Sequence, residues 1–323
     1  LLPGLSGLLC GEGGARAEPG LAGYAPWWDY SWVYRKPLSL DNSQNPKPLT
    51  DYPLLINLSA GDLIDAGKMR SDWGDMRFTD SDGTTVLKYW VETEGNIWVK
   101  IPSIPASSQK TIYFYFGNPS AALTSDGDKV FDLFDQFDGG SLDTTKWTLI
   151  NDGAYSVSNG EFTIAADGSH QPGKAMATTV SMENNYVLRS RFKITGGLHT
   201  DERIGLSIKC GIGDGRGYNY VFRDFTNLNY ISFLDDYVVW NSRAGNWLKD
   251  TYYVEEIYHD GSNVQARLND GPWQSQAWKG RSGYPALYFG SYDGTSVWDW
   301  ALVRKFQTPD PVIKMGPEEH PFK

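Results

Sequence analysis

The sequence predicts an all-β chain: two β-sandwich domains in series, the second a larger jelly roll, preceded by an extended N-terminal arm. Three observations carry this. Short runs alternating apolar and polar residues recur along nearly the whole length, broken by Pro, Gly and Asp. Aromatic residues reach 14%, with 13 Trp and 19 Tyr beside 35 Gly, a mixture suited to sheet faces joined by tight turns. At 323 residues the chain exceeds one small sandwich and fits two cores.

The first stretch, residues 1–24, is apolar and Gly-rich, and Pro3, Gly4, Gly7 and Gly11 disfavour a helix. Leu2, Leu5, Leu8 and Leu9 then line an extended arm that would add as a donor strand to a neighbouring subunit. The other reading is the end of a signal peptide, with Ala15-Arg16-Ala17 as its cleavage site. Residues 25–120 form the small sandwich: SWVYRKPLSL, YPLLINL, MRFTDSDGTTVLKYWVE, IWVKIPSI and KTIYFYFG each read as strands at period two. Asp80-Ser81-Asp82-Gly83 has the look of a calcium loop, but Asx and glycine turn chemistry between two strands accounts for it. Residues 121–129 are a Ser, Gly and Asp linker. Residues 130–309 hold the jelly roll, whose many short strands include YVLRSRFKI, RIGLSIKCGI, YYVEEIYHD and ALYFGSY. Residues 310–323, with three prolines, make an extended tail.

Two resemblances sharpen this outline. WVYRKPL from Trp32, LTDYPLLI from Leu49, DMRFTDSDGT from Asp75, IWVKIPSIP from Ile97 and YFGNPSA from Tyr115 follow one another in order. They resemble a family of unknown function, a small β-sandwich of bacterial and archaeal surface and secreted proteins. FDLFDQFDGGSLDTTKW from Phe131 resembles the opening strand of concanavalin-like (laminin-G-like) jelly rolls, and WDWALVRKFQTPDP from Trp298 their closing strand. The first resemblance implies an extracellular or cell-surface location and brings no catalytic residues. The second implies a structural calcium where first and last strands meet, with Asp138 and Asp299 as its carboxylates.

Composition and motifs narrow the function. A net charge of −10 argues against nucleic acid and anionic membrane surfaces, and no run of about 18 apolar residues spans a membrane. Two cysteines exclude a disulfide-built scaffold. Cys210 shares a strand face with Ile204, Leu206 and Ile208, which makes it a core thiol unless it bonds Cys10. Jelly-roll glycosidases need paired carboxylates. No E-x-D-x-x-E string occurs, and the nearest acidic pairs, such as Glu255-Glu256, are adjacent and face opposite sides of a strand. A G-x-S-x-G elbow is also lacking. These points predict a non-enzymatic, extracellular structural protein, a filament subunit that self-associates through its arm. The alternative is a lectin-like glycan-binding module, whose sugar platform would be Tyr237, Trp240, Trp247, Trp273 and Trp278.

Overall fold

The computed structural model describes residues 25–321, apart from 94, 151–153, 166–172, 197–201, 212–216, 226–227, 236–237, 246, 279 and 291–293. The arm with Leu2, Leu5, Leu8, Leu9 and Cys10 lies outside the described residues, as does Tyr237.

Six strands open the chain: β1 (Tyr34–Asp41), β2 (Leu49–Asn57), β3 (Arg77–Thr79), β4 (Tyr89–Thr93), β5 (Asn96–Ile104) and β6 (Gln109–Phe116). Alternation puts Leu38, Leu40, Ile112, Phe114 and Phe116 on one inner face and Leu54, Ile56, Ile97, Val99 and Ile101 on the other, forming a single core. The Asp80–Gly83 segment is a turn. Asp82 accepts from the Thr84 and Thr85 amides, Asp80 pairs with Lys110 at 2.6 Å, and Gly83 has φ +73°.

The second sandwich begins with β7 (Leu133–Asp135), β8 (Trp147–Ile150), β9 (Tyr155–Ser158), β10 (Glu161–Ala165) and β11 (Gly173–Ala177). The long strands β12 (Tyr186–Gly196), β13 (Glu202–Cys210), β14 (Tyr218–Phe225), β15 (Leu228–Asp235) and β16 (Val238–Ala244) follow. It closes with β17 (Tyr253–His259), β18 (Asn263–Leu268), β19 (Gln274–Ala277), β20 (Tyr284–Gly290) and β21 (Gly294–Lys305). An eight-stranded sheet in the order β19-β18-β17-β12-β21-β10-β9, with β7 also on β21, faces a seven-stranded one in the order β16-β15-β14-β13-β20-β11-β8. Phe162, Leu188, Phe192, Leu206, Phe222, Leu287 and Trp298 fill the space between them.

The tail from 310 to 323, expected to be simply extended, returns to the first sandwich. Its strand β22 (Val312–Met315) pairs antiparallel with β1, giving a four-stranded sheet β22-β1-β6-β3 opposite β2-β5-β4. Glu319 reaches Arg35 at 2.6 Å, and that guanidinium lies over the rings of Trp27 and Tyr113.

The outer face of the eight-stranded sheet packs on β4 and β5. Trp90 and Trp98 meet Val130, Phe131, Phe134, Trp300 and Leu302 in one apolar seam. Beside it Arg189 pairs with Glu92 of β4 at 2.8 Å, with Glu256 at 3.2 Å and with Asp270 at 2.7 Å. Trp98 Nε1 donates to the second oxygen of Glu92 at 2.6 Å. Burial would push the Glu256 carboxyl up, but Arg189, Arg267 and Arg304 together hold it below its ordinary value.

Candidate functional site

Where the two sandwiches meet at the edge strand β4, a crevice opens. Its larger lobe has a volume of about 750 Å³ and its narrower lobe about 350 Å³, and the two share Trp90, Val91, Gln136 and Asp138 in their linings. Volumes of this order suit a small ligand or a few linked sugar rings.

Each wall has a local cause. Strand β4 is the edge of its sheet, so it pairs outward with the linker: Asp126 N donates to Tyr89 O at 2.9 Å and Val91 N to Ser125 Oγ at 2.9 Å. The linker can lie this close because Gly127 has no side chain; a Cβ there would sit 2.4 Å from the Phe134 ring. After β7 the chain turns through Gln136 and Asp138, which bond each other. The opposite lip is the hairpin between β9 and β10, where Asn159 and Gly160 both take positive φ, as a two-residue turn requires.

The floor comes from a bulge. Between β12 and β21 the register passes from Arg191 opposite Trp300 to Phe192 opposite Trp298, leaving Asp299 as the extra residue. Trp298 therefore faces the sandwich core while Asp299 and Trp300 both line the narrower lobe. Trp300 is 3% exposed, and its Nε1 has no hydrogen-bond partner in the structure. Asp299 pairs with Arg191, which stacks on Tyr252 at 3.8 Å.

The crevice is acidic. Asp126, Asp128, Asp138 and Asp143 are exposed along the larger lobe. Among the described residues its one lysine, Lys146, is spent on Asp128 at 3.0 Å and on the Phe134 carbonyl at 2.8 Å. Burial pushes the Asp135 carboxyl up, against the Phe137 amide and Trp147 indole that bond it.

The sequence-derived site residues fare unevenly. Asp138 and Asp299 do line one lobe. Their fit to calcium is poor, because Arg191 already supplies Asp299 with positive charge, and no group of three or more metal-ligating side chains occurs among the described residues. No role for calcium is built on them. The aromatic platform is corrected at two of its five positions. Trp247 and Trp278 are 2% and 7% exposed and belong to the sandwich core, Trp278 stacked on Tyr218 at 4.8 Å. Trp273 is half-buried against Tyr258 and Phe306 beneath Arg267, and Trp240 falls in β16. The Cys210 thiol is buried, 2.9 Å from Ser207 Oγ, while Cys10 is outside the described residues. Trp90 and Trp300 were missed. Period-two alternation assigns Trp298 and Trp300 to one face, and nothing in the sequence announces the bulge that separates them.

The fold and crevice define a two-sandwich, all-β protein whose second half is a jelly roll. A family model described as a domain of unknown function, DUF2341, matches residues 72–150, from the first sandwich across the linker to β8. That is later in the chain than the phrases from Trp32 onward suggested. No curated protein matches the sequence. Among solved structures, one described with endo-acting O-glycanases of human gut microbiota has TM-score 0.44 and 10% identity, over 55% of this chain and 100% of that one. A pseudo β-1,3-glucanase and immunostimulatory antigen of Mycobacterium tuberculosis gives 0.41 and 15%, over 54% and 98%. A GH43 protein of Bacillus licheniformis gives 0.42 and 10%, over 68% and 46%.

Two expectations are corrected here. The filament subunit joined by its arm is withdrawn: no described residue supports it, since Leu2, Leu5, Leu8 and Leu9 lie outside the described residues. The exclusion of an enzyme is withdrawn as well. It rested on the lack of a same-strand carboxylate motif, yet folding brings Asp138 and Asp299, 161 positions apart in sequence (299 − 138), to one lobe.

Proposed function

We propose that this chain engages glycans in the crevice between its two sandwiches. One observation carries the reading: a crevice with lobes of about 750 and 350 Å³, ringed by exposed amide and carboxylate groups of Gln136, Asp138 and Asn159. Sugars present apolar C–H faces and many hydroxyls. The hydroxyls donate to carboxylates and amide carbonyls and accept from amide N–H groups. Glycan-directed descriptions of the structural neighbours agree with this chemistry.

A second reading, cleavage of the bound glycan, is favoured by the presence of Asp138 and Asp299 in the same lobe, since glycoside hydrolysis employs two carboxyl groups. The test is a glycan array with the full chain, followed by titration of the best oligosaccharide against Gln136→Ala and Asp138→Ala. Both residues are on the surface, so the fold should survive. Binding should weaken roughly tenfold or more in each. Unchanged affinity in both would move the site elsewhere. Reducing ends released by the parent and lost in Asp138→Ala would add catalysis; their absence would leave a binding module.

A further inference from the structure

The seven-stranded sheet of the second sandwich has an outer face, turned away from the eight-stranded sheet, and that face is shielded from water. We propose that the N-terminal arm, residues 1–24, lies across it within the same chain. This surface is separate from the crevice and does not rest on the glycan reading.

Alternation and register define the face. Leu206, Tyr220, Phe233 and Leu287 point into the interior core, so their neighbours Ser207, Val221, Leu234 and Ala286 point outward. The polar groups there bond one another: Ser207 Oγ donates to Asn219 Oδ1 at 2.6 Å, and Ser232 Oγ meets Ser242 Oγ at 2.7 Å. A solvated face of an antiparallel sheet alternates to exposed polar residues. Here Ser207, Asn219, Val221, Ser232, Leu234 and Ala286 are all 0% exposed. The shielding also has limits. In the same cross-strand rows Ser242 on β16 and Thr148 on β8 are exposed. The shielded strip therefore runs over β15-β14-β13-β20-β11, a width of about 24 Å at the usual strand spacing.

Reach decides what covers it. The small sandwich packs on the eight-stranded sheet, on the opposite side, and among the described residues no strand or helix is stacked on this face. The undescribed loops are too short. The longest, 166–172, has to bridge the two sheets from β10 to β11. Residues 212–216 return to the neighbouring strand and extend at most about 8 Å from the sheet end. The arm offers about 80 Å of extended chain. It departs at Ala25, whose carbonyl accepts from Arg35 of β1 at 3.2 Å. From that sheet to the outer face is about 40 Å, at about 10 Å for each sheet layer. The remaining half crosses the strip, and it is the half with Leu2, Leu5, Leu8 and Leu9. Residues 1–11 carry no charged side chain, which suits a face that offers none a partner.

Cys210 reports whether the face is covered. Alternation alone groups it with Ile208, but a bulge between Ser207 and Cys210, with Lys209 at φ +58°, turns it outward against Met176 and Ala286. The test is the rate at which a maleimide labels Cys210 in the full chain carrying Cys10→Ser. Labelling should be slow at every protein concentration. A chain beginning at residue 25 should label about tenfold faster or more, and a peptide of residues 1–24 with the same Cys10→Ser should slow it again. Should the shortened chain fail to fold, Leu5→Asp/Leu8→Asp in the full chain gives the second reading. Its labelling should rise several-fold with the near-ultraviolet circular dichroism unchanged. Fast labelling of the full chain would overturn the proposal. So would slow labelling that persists in both arm variants, because another segment would then cover the thiol. Protection lost on dilution would overturn it too, because the cover would come from a second copy.

Discussion

Glu255 and Glu256 are neighbours in β17 and have opposite electrostatic fates. Glu256 faces the seam and three arginines; Glu255 faces the interior between the sheets. There its Oε1 accepts from the Leu206 amide at 3.0 Å, while Oε2 has no partner, and burial pushes its carboxyl well above the ordinary 4.5. The native state thus keeps a proton that the unfolded chain releases, so unfolding loses protons and stability falls as pH rises from about 4.5 toward the folded value. Glu255→Gln keeps the acceptor and removes the ionisation. It should raise stability near pH 8 by roughly 1–3 kcal/mol and flatten the decline above pH ~5. Urea unfolding of both proteins across that range measures this, and equal slopes would assign the decline to another group. Alternation in the sequence separates the two glutamates onto opposite faces. It does not say which face holds arginines, because those come from β12, β18 and β21.

At the scale of elements, β22 is the strand that the sequence concealed. Prolines flank it, it has four residues, and it forms because β1 leaves an open edge that it can pair with from Leu38 to Asp41. Its downstream Glu319 neutralises Arg35, whose side chain is 5% exposed. Removing residues 311–323 should lower stability by about 3–5 kcal/mol, because it uncovers the edge of β1 and takes the carboxylate partner from a buried guanidinium. Thermal melting checks this, and Glu319→Gln, which keeps the strand, should lose less. A truncated chain melting with the parent would mean that the aromatic rings around Arg35 suffice. The bulge at Asp299 teaches the same lesson. An element's partner, not its own pattern, decides where an extra residue goes.

Across the whole molecule, the seam makes the two sandwiches one thermodynamic unit. Trp90, Trp98, Phe131 and Trp300 bury an apolar surface there, and Arg189 ties Glu92 of one sandwich to Glu256 and Asp270 of the other. Calorimetry should therefore find a single cooperative transition. Arg189→Met leaves the carboxylates of Glu92 and Glu256 buried with less compensation, a loss of about 3–5 kcal/mol. The variant should melt lower and resolve into two transitions as the seam loosens. Two transitions already present in the parent would show that the sandwiches unfold independently and that the crevice between them is not held rigid.

The sequence by itself determined the all-β class, most strand positions and the turn chemistry. These follow from local rules: period-two alternation, and the glycine and aspartate conformations that turns require. It also marked Asp138 and Asp299, which share a lobe. Only the tertiary structure decided that Trp247 and Trp278 are core, that the tail is a strand of the first sandwich, and that Trp90 and Trp300 floor a crevice. Burial, register and the meeting of distant surfaces are properties of chain segments brought together. No window of sequence contains both partners, so no local pattern could carry that information.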